Sequence, residues 1–225
     1  MQYHSTRDKS ISVSSAEAIK KGLSAEGGLF VPDSFPRVSL DEIQSLAQKT
    51  YTERAKFVLS KYLTDFTEEE LDKCVNSAYT KEKFETDAIA PVYKLNNSAY
   101  FLELWHGPTC AFKDMALQIL PHFMTVSMKK TNEDKEIVIL VATSGDTGKA
   151  ALEGFKDVNG TRIIVFYPAD GVSEIQKLQM VTQEGNNVSV AAVKGNFDDA
   201  QNGVKKIFCD EAYKAELDSD GYKLS

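Results

Sequence analysis

The feature that most constrains the fold is a set of three apolar, β-branched runs in the second half of the chain. They read EIVILVA at 136–142, TRIIVFY at 161–167 and NVSVAAV at 187–193. Runs of this kind are typical of strands that are buried on both faces of a sheet. Helical patterns follow them, near Thr147, at 173–183 and at 198–213. Because strands that alternate with helices form parallel sheets, the sequence predicts an α/β fold with a doubly wound parallel sheet.

The first ninety residues carry a different, mainly helical pattern. Capping boxes at Ser14–Glu17 and Thr67–Glu70 mark the starts of two helices, and Gly22 follows the first of them as a stop signal. We therefore predict a helical domain at residues 1–90 and an α/β region at residues 91–225.

Composition narrows the class of protein. The chain has 225 residues, 42% of them hydrophobic, and a net charge of −7. An acidic balance argues against a nucleic-acid binder, which needs a basic face. No apolar run is long enough to span a membrane, and the first residues lack the apolar core of a signal peptide. These features predict a cytoplasmic protein that binds a small molecule.

The residues that commonly hold metals form no recognisable site. Three cysteines lie far apart without a CxxC pair: Cys74, Cys110 and Cys209. This spacing indicates neither a zinc site nor a disulfide framework, so we expect reduced, mostly buried thiols. The histidines lack a partner motif, and we interpret them as incidental or as scaffold: His4, His106 and His122. We predict no metal site.

The segment TSGDTG at 143–148 joins the first apolar run to its helix. Its two glycines let the backbone approach a ligand closely, and Ser144 and Thr147 add hydroxyl donors at a helix start. This combination predicts a cradle for a carboxylate or phosphate. A plain tight turn in which Thr147 caps the helix is the alternative. The spacing matches neither a Walker loop nor GxGxxG, which argues against nucleoside triphosphates.

A second candidate site is HGPTCAFKDMALQ at 106–118, which follows a strand candidate at 99–104. It places Lys113 near the start of a helix that we predict from about Phe112. A lysine amine that is sheltered from water is a nucleophile that condenses with carbonyl cofactors. The alternative is an exposed first-turn lysine beside Asp114. A cation opposes the helix dipole at this end, which indicates another need for Lys113.

This lysine segment resembles the pyridoxal-phosphate lysine segment of threonine synthase. Further matches occur in order over nearly the whole chain: STR at 5–7, GGLFVP at 27–32, ATSGDTGKAAL at 142–152 and GNFDDAQ at 195–201. Capping of the following helix by Asn196 or Asp198 also accounts for the last of these. The resemblance is to the bacterial and fungal type, with its helical N-terminal domain. It implies the fold of the tryptophan synthase β-subunit and the cofactor pyridoxal 5′-phosphate.

The resemblance also implies a reaction, a lyase step that ends threonine biosynthesis. Lys113 would hold the cofactor and act as general base when O-phospho-L-homoserine displaces it, so that phosphate leaves, water adds and L-threonine forms. Phe112 and Asp146 would contact the cofactor. The substrate carboxylate would lie on the loop, and the residues implied there are Thr143, Ser144, Gly145, Asp146 and Thr147. Whether Asp146 faces the cofactor ring or helps to choose the substrate stays open.

Threonine synthases are about twice as long as this chain, as expected for two or more domains. We therefore expect a truncated chain that lacks the glycine-rich loop for the cofactor phosphate. Such a chain is expected to be inactive alone and to self-associate through apolar surface left bare.

Two other interpretations stay open. The chain could belong to a related pyridoxal-phosphate phospho-lyase or to a serine/threonine dehydratase, although aspartate in SGDTG argues against the dehydratase. It could also be a non-catalytic binding module with a vestigial site. The intact Lys113 and the intact TSGDTG argue against such decay.

Overall fold

The computed structural model describes residues 1–225. The chain divides into two compact units. The first consists of Met1–Gly107 with His122–Asn132, and the second of Pro108–Pro121 with Glu133–Ser225. In neither unit does a helix combine the length and apolar character that crossing a membrane requires. The domain division at residue 90 stays a prediction.

The first unit combines a small antiparallel sheet with helices. The sheet contains β1 (Tyr3–Ser5), β2 (Ser12–Val13) and β3 (Phe30–Pro32), with β1 in the middle. The helices are α1 (Ser15–Lys21), α2 (Leu40–Ser45), α3 (Tyr51–Tyr62) and α4 (Glu68–Ala78). A hairpin follows, formed by β4 (Val92–Lys94) and β5 (Tyr100–Leu102). The strand candidate at 99–104 is thus confirmed, whereas β1 and β2 are too short to show a period-two pattern.

The helix start signals in this unit are local and largely correct. The Thr67 hydroxyl accepts the N–H of Glu70 at 3.2 Å, and the Glu70 carboxylate accepts the N–H of Thr67 at 2.8 Å, so this capping box is complete. Ser14 caps α1 by accepting the N–H of Glu17. The Glu17 carboxylate pairs with lysines of the same helix instead of the N–H of Ser14. At Ser14–Glu17, therefore, only one of the two hydrogen bonds of a capping box forms.

The second unit is built around a four-stranded parallel sheet. Its strands are β6 (Glu136–Ala142), β7 (Thr161–Pro168), β8 (Val188–Val193) and β9 (Tyr222–Leu224). The strand order is β8-β7-β6-β9, and every pairing is parallel. The predicted parallel sheet is confirmed, and the three apolar runs supply β6, β7 and β8. The short strand β9 was not predicted.

The remaining helices are α5 (Asp114–Leu117), α6 (Leu120–Lys130), α7 (Asp146–Phe155), α8 (Glu174–Val181), α9 (Phe197–Cys209) and α10 (Glu211–Ser219). The helix predicted from about Phe112 is present as α5, which begins at Asp114. It ends at Leu117, because Pro121 has no N–H to offer the carbonyl of that residue. The predicted helix at 198–213 is broken. It divides at Asp210, whose carboxylate caps α10 by accepting the N–H of Tyr213 at 3.0 Å. Asn196 caps α9 as predicted.

The expectation of burial on both faces is wrong for β8. Alternate residues of β7 are buried, whereas no residue of β8 is. β8 lies at the edge of the sheet and pairs with only one neighbouring strand, β7. The core of the unit forms around β6, β7, α7 and α8, and its fully buried side chains include Ile137, Leu152, Phe155, Ile163 and Met180.

The cysteines are free, as predicted, but they are not mostly buried. Only Cys74 is buried, while Cys110 and Cys209 are exposed. Burial raises the pKa of the Cys74 thiol to about 11. Because the thiolate is the reactive form, this cysteine is inert near neutral pH.

Candidate active site

The loop of residues 143–148 lies where the strand order of the parallel sheet reverses. The chain places β7 and then β8 on one side of β6, and it places β9 on the other side. The loop follows the carboxyl end of β6. Ligands of open parallel sheets bind beyond the carboxyl ends of the strands at such a reversal. Topology therefore points to the same loop as the sequence motif.

Thr143 organises this loop from the inside. Its side chain is buried, and its hydroxyl accepts the N–H of Gly145 at 3.0 Å and the N–H of Gly148 at 2.9 Å. The same hydroxyl donates to the carbonyl of Gly145 at 3.1 Å. A hydroxyl has one hydrogen and two lone pairs, so these bonds use all of its capacity. Thr143 shapes the loop, and its hydroxyl has nothing left to offer a ligand.

The accessible part of the loop begins at the next residue. Ser144 and Asp146 are exposed, and Thr147 is half-buried. The N-cap of α7 is Gly145, with no side-chain cap, so the alternative in which Thr147 caps the helix is wrong. The Thr143 hydroxyl already takes the N–H of Gly148, so in the first turn of α7 the N–H groups of Asp146 and Thr147 are left to water or to an anion.

Packing within the protein requires glycine at 148, and the backbone angle φ of +155° requires it at 145. A Cβ on Gly148 would lie 2.4 Å from Cγ2 of Thr143 and 2.8 Å from Cγ1 of Val165. A Cβ on Gly145 would lie 2.5 Å from Nε2 of Gln176, a residue of α8. Protein side chains thus fill the space beside both glycines, where the sequence analysis expected a ligand to approach.

Gln176 is the contact of this site that the sequence analysis missed. Its Nε2 donates to Oδ1 of Asp146 at 2.7 Å. The only local signal is the spacing of Ser173 and Gln176, which fits a capping box. Ser173 does cap α8, but nothing in that pattern points to Asp146.

The segment that carries Lys113 is pinned by a buried carboxylate. Asp114 is 0% exposed. Its Oδ2 accepts the N–H of Thr109 at 2.9 Å, and its Oδ1 accepts the hydroxyl of Thr109 at 2.7 Å. These two bonds close the turn that precedes α5 and fix the backbone on both sides of Lys113.

Lys113 itself is half-buried rather than exposed. Its Nζ lies 4.7 Å from the centroid of the Phe112 ring, and it makes no hydrogen bond or ion pair within the chain. The neighbouring carboxylate of Asp114 is turned to Thr109. Phe112 is 56% exposed, so its ring forms an accessible apolar surface beside the amine.

A tight helix contact joins the lysine segment to the helix of the anion loop. Helix α5 packs on α7. A Cβ on Gly154 of α7 would lie only 2.1 Å from the carbonyl oxygen of Leu117 in α5. The helices therefore meet backbone to backbone, and this contact ties the segment that holds Lys113 to the helix that begins in the loop.

We expect Asp114→Ala to lower the free energy of unfolding by about 3 kcal/mol, because it leaves a buried N–H and a buried hydroxyl without their acceptor. Urea unfolding of the protein measures the change. Asp114→Asn keeps one oxygen acceptor in the same place and is expected to cost about 1 kcal/mol. Equal losses in the two variants would contradict the role assigned to this carboxylate.

His106 keeps the scaffold role that the sequence analysis gave it. Its Nε2 lies 2.8 Å from Oε2 of Glu103, and its ring lies against that of Trp105 with centroids 5.5 Å apart. Its carbonyl accepts the N–H of Glu85 at 3.0 Å. All of these contacts are within the first unit.

Fold and site together define the second unit as a parallel α/β unit with its candidate ligand site at the carboxyl edge of the sheet. Comparison with known proteins narrows this class. A sequence model described as "Threonine synthase N terminus" matches residues 2–79. Threonine synthase from Pseudomonas aeruginosa is 39% identical over 214 residues, which is 95% of this chain and 45% of that protein. Human threonine synthase-like 1 is 38% identical over 210 residues, which is 90% of this chain and 28% of that protein.

Solved structures agree with the sequence comparison. The crystal structure of threonine synthase from Brucella melitensis with bound pyridoxal phosphate superimposes with a TM-score of 0.87 at 34% identity, and the match covers 100% of this chain and 47% of that one. Over nearly its whole length, the chain resembles the N-terminal portion of threonine synthase. It spans about half the length of the threonine synthases it matches.

Proposed function

We propose that this chain is part of a threonine synthase, which converts O-phospho-L-homoserine and water to L-threonine and phosphate. The observation that carries the proposal is the half-buried Lys113 amine, which has no carboxylate partner. It occurs in a chain that matches a threonine synthase over 95% of its length. The alternative of a non-catalytic module with a vestigial site does not account for a lysine amine that is free of any ion pair.

The residues around Lys113 fit pyridoxal phosphate, which is bound in the threonine synthase structure from Brucella melitensis. An amine that condenses with a carbonyl cofactor has to be free of an ion pair, and the Nζ of the half-buried Lys113 has the Phe112 ring as its neighbour and pairs with no carboxylate. The accessible ring of Phe112 offers an apolar surface to a flat aromatic group. When bound, the cofactor supplies an electron sink for the carbanions of the reaction.

Lys113 has two tasks in this proposal. It would hold the cofactor, and its amine, when free, would remove the α proton of the substrate and move a β proton. One amine serves both carbons because it stays held beside them by a backbone that Asp114 fixes.

The loop after β6 holds the substrate carboxylate. The N–H groups of Asp146 and Thr147 lie at the positive end of the dipole of α7, and the exposed Ser144 and half-buried Thr147 add hydroxyls. Thr143 and Gly145 give the loop its shape. The carboxylate of Asp146 would repel that of the substrate, so it has to point away from the N–H groups, and its Oδ1 accepts a hydrogen bond from Nε2 of Gln176 instead.

A related phospho-lyase is the second candidate. The human threonine synthase-like 1 protein is nearly as similar to this chain as the bacterial threonine synthase is, at 38% against 39% identity. Sequence identity alone therefore does not decide whether the product is L-threonine or 2-oxobutyrate.

The deciding experiment offers O-phospho-L-homoserine to the complete protein with pyridoxal phosphate and measures L-threonine, phosphate and 2-oxobutyrate. We expect threonine and phosphate in equal amounts. Phosphate with 2-oxobutyrate instead of threonine would show the phospho-lyase. Borohydride reduction followed by peptide mass spectrometry is expected to leave a pyridoxyl group on Lys113, and the absence of both product and adduct would support a non-catalytic module.

A further inference from the structure

Gln176 lies where two loops at the carboxyl edge of the sheet meet. Helix α8, which carries Gln176, begins directly after the loop that follows β7. The amide of Gln176 reaches back to the neighbouring loop after β6, where it covers Gly145 and donates to Asp146 at 2.7 Å. Both ends of the amide are used, because its Oε1 lies 3.1 Å from the hydroxyl of Ser173, which donates to it.

We infer that Gln176 is a positioning residue that keeps Asp146 from occupying the anion site of its own loop. Asp146 is the first residue of α7, and its own N–H and that of Thr147 are the groups that the proposed function assigns to the substrate carboxylate. A carboxylate in a first helical turn is attracted by those groups and by the dipole behind them. Without another partner, Asp146 would turn onto them and compete with the substrate.

The geometry explains why glutamine serves at this position. Its amide donor satisfies the Asp146 carboxylate, and its flat head fits against Gly145, where a Cβ would overlap three of its atoms at 2.5–2.7 Å. Methionine has a similar length and fills the space but donates nothing. Glutamate also fills the space, but it would place a second negative charge against Asp146.

The kinetic test rests on the proposed function and uses the complete protein with its cofactor. Gln176→Met and Gln176→Ala are expected to raise KM for O-phospho-L-homoserine about tenfold, the size of one lost charge-assisted hydrogen bond, with kcat within about threefold. Gln179→Ala, on the same helix, removes a glutamine for which the structure shows no hydrogen bond and is expected to change neither constant.

A double variant separates competition from simple loss of structure. In an Asp146→Ala background the competing carboxylate is absent, so adding Gln176→Met is expected to change KM by less than about threefold relative to Asp146→Ala alone. A rise in KM of about tenfold in that background would overturn the inference, because a merely structural Gln176 gives that result.

A second readout does not depend on activity. In a ligand-free crystal structure of Gln176→Met, we expect the Asp146 carboxylate to have turned onto the N–H groups of the first turn of α7. An Asp146 that keeps its orientation would overturn the inference even if threonine is made. If the parent protein makes no threonine, the proposed function is contradicted. The inference about Gln176 is still tested in that case, because the orientation of Asp146 in the crystal structure does not depend on activity.

Discussion

Lys113→Ala is expected to lower kcat/KM for O-phospho-L-homoserine by about 10³-fold or more. The amine is at once the attachment point of the cofactor and the base, and loss of a positioned base alone costs about 10²–10⁴-fold. Turnover and the pyridoxyl adduct after borohydride are both measured on the complete protein. The adduct is expected to vanish together with the activity.

Two control variants separate the chemistry of the Lys113 amine from the effect of its positive charge and from effects of lysine removal on folding. Lys113→Arg keeps a cation at the same helix start but cannot condense with the cofactor, so it is expected to be as inactive as the alanine variant. Lys205→Ala removes an exposed lysine of α9, whose contact is a hydrogen bond to Gln201, and is expected to leave activity unchanged. An arginine variant with substantial activity would contradict the assignment of Lys113.

Gly154→Ala is expected to destabilise the protein by about 2 kcal/mol. The new Cβ would lie 2.1 Å from the carbonyl oxygen and 3.0 Å from the carbonyl carbon of Leu117, and both are backbone atoms that no side-chain rotation can move. Forced separation of packed helices costs about 3 kcal/mol, of which the better helix propensity of alanine offsets about 1 kcal/mol. Because α5 follows Lys113, the same separation is expected to lower kcat by about 10²-fold through misplacement of the amine.

Gly203→Ala is the matched control for that variant. Gly203 also lies inside a helix, α9, and a Cβ there meets nothing within 4 Å. This substitution is expected to stabilise the protein by up to about 1 kcal/mol, the difference in helix propensity between glycine and alanine. The two Gly→Ala changes should therefore have opposite signs in urea unfolding. A shared sign would show that the contact between α5 and α7 is not as tight as described.

Much of the second unit could be predicted because its signals are local. The run at 136–142 has six apolar residues, four of them β-branched, so no tertiary information is needed to expect a strand there. Capping boxes and cap residues act within four residues, and those at Thr67 and Asn196 form as expected. The loop at 143–148 and the lysine at 113 were located in the same way, from motifs read along the chain.

The predicted ends of some helices are wrong even though the sequence carries a local signal at those positions. The helix predicted from about Phe112 has only four residues, because Pro121 lacks the N–H that would bond the carbonyl of Leu117. Asp210 ends one helix and caps the next, since its carboxylate accepts the N–H of Tyr213. Strands of two or three residues, such as β2 and β9, carry too few positions for any pattern to be recognised.

The sequence by itself determined which segments become strands and helices in the second unit, and it identified the lysine and the loop as candidates for chemistry. Only the tertiary structure decided the order of the strands, and with it the reversal beside β6 where the candidate ligand site lies. It also decided the contact of Gln176 with Asp146 and the approach of Gly154 to Leu117. The physical reason is distance along the chain: local propensity acts over a few residues, whereas these contacts join residues that only the packing of helices and sheet brings together.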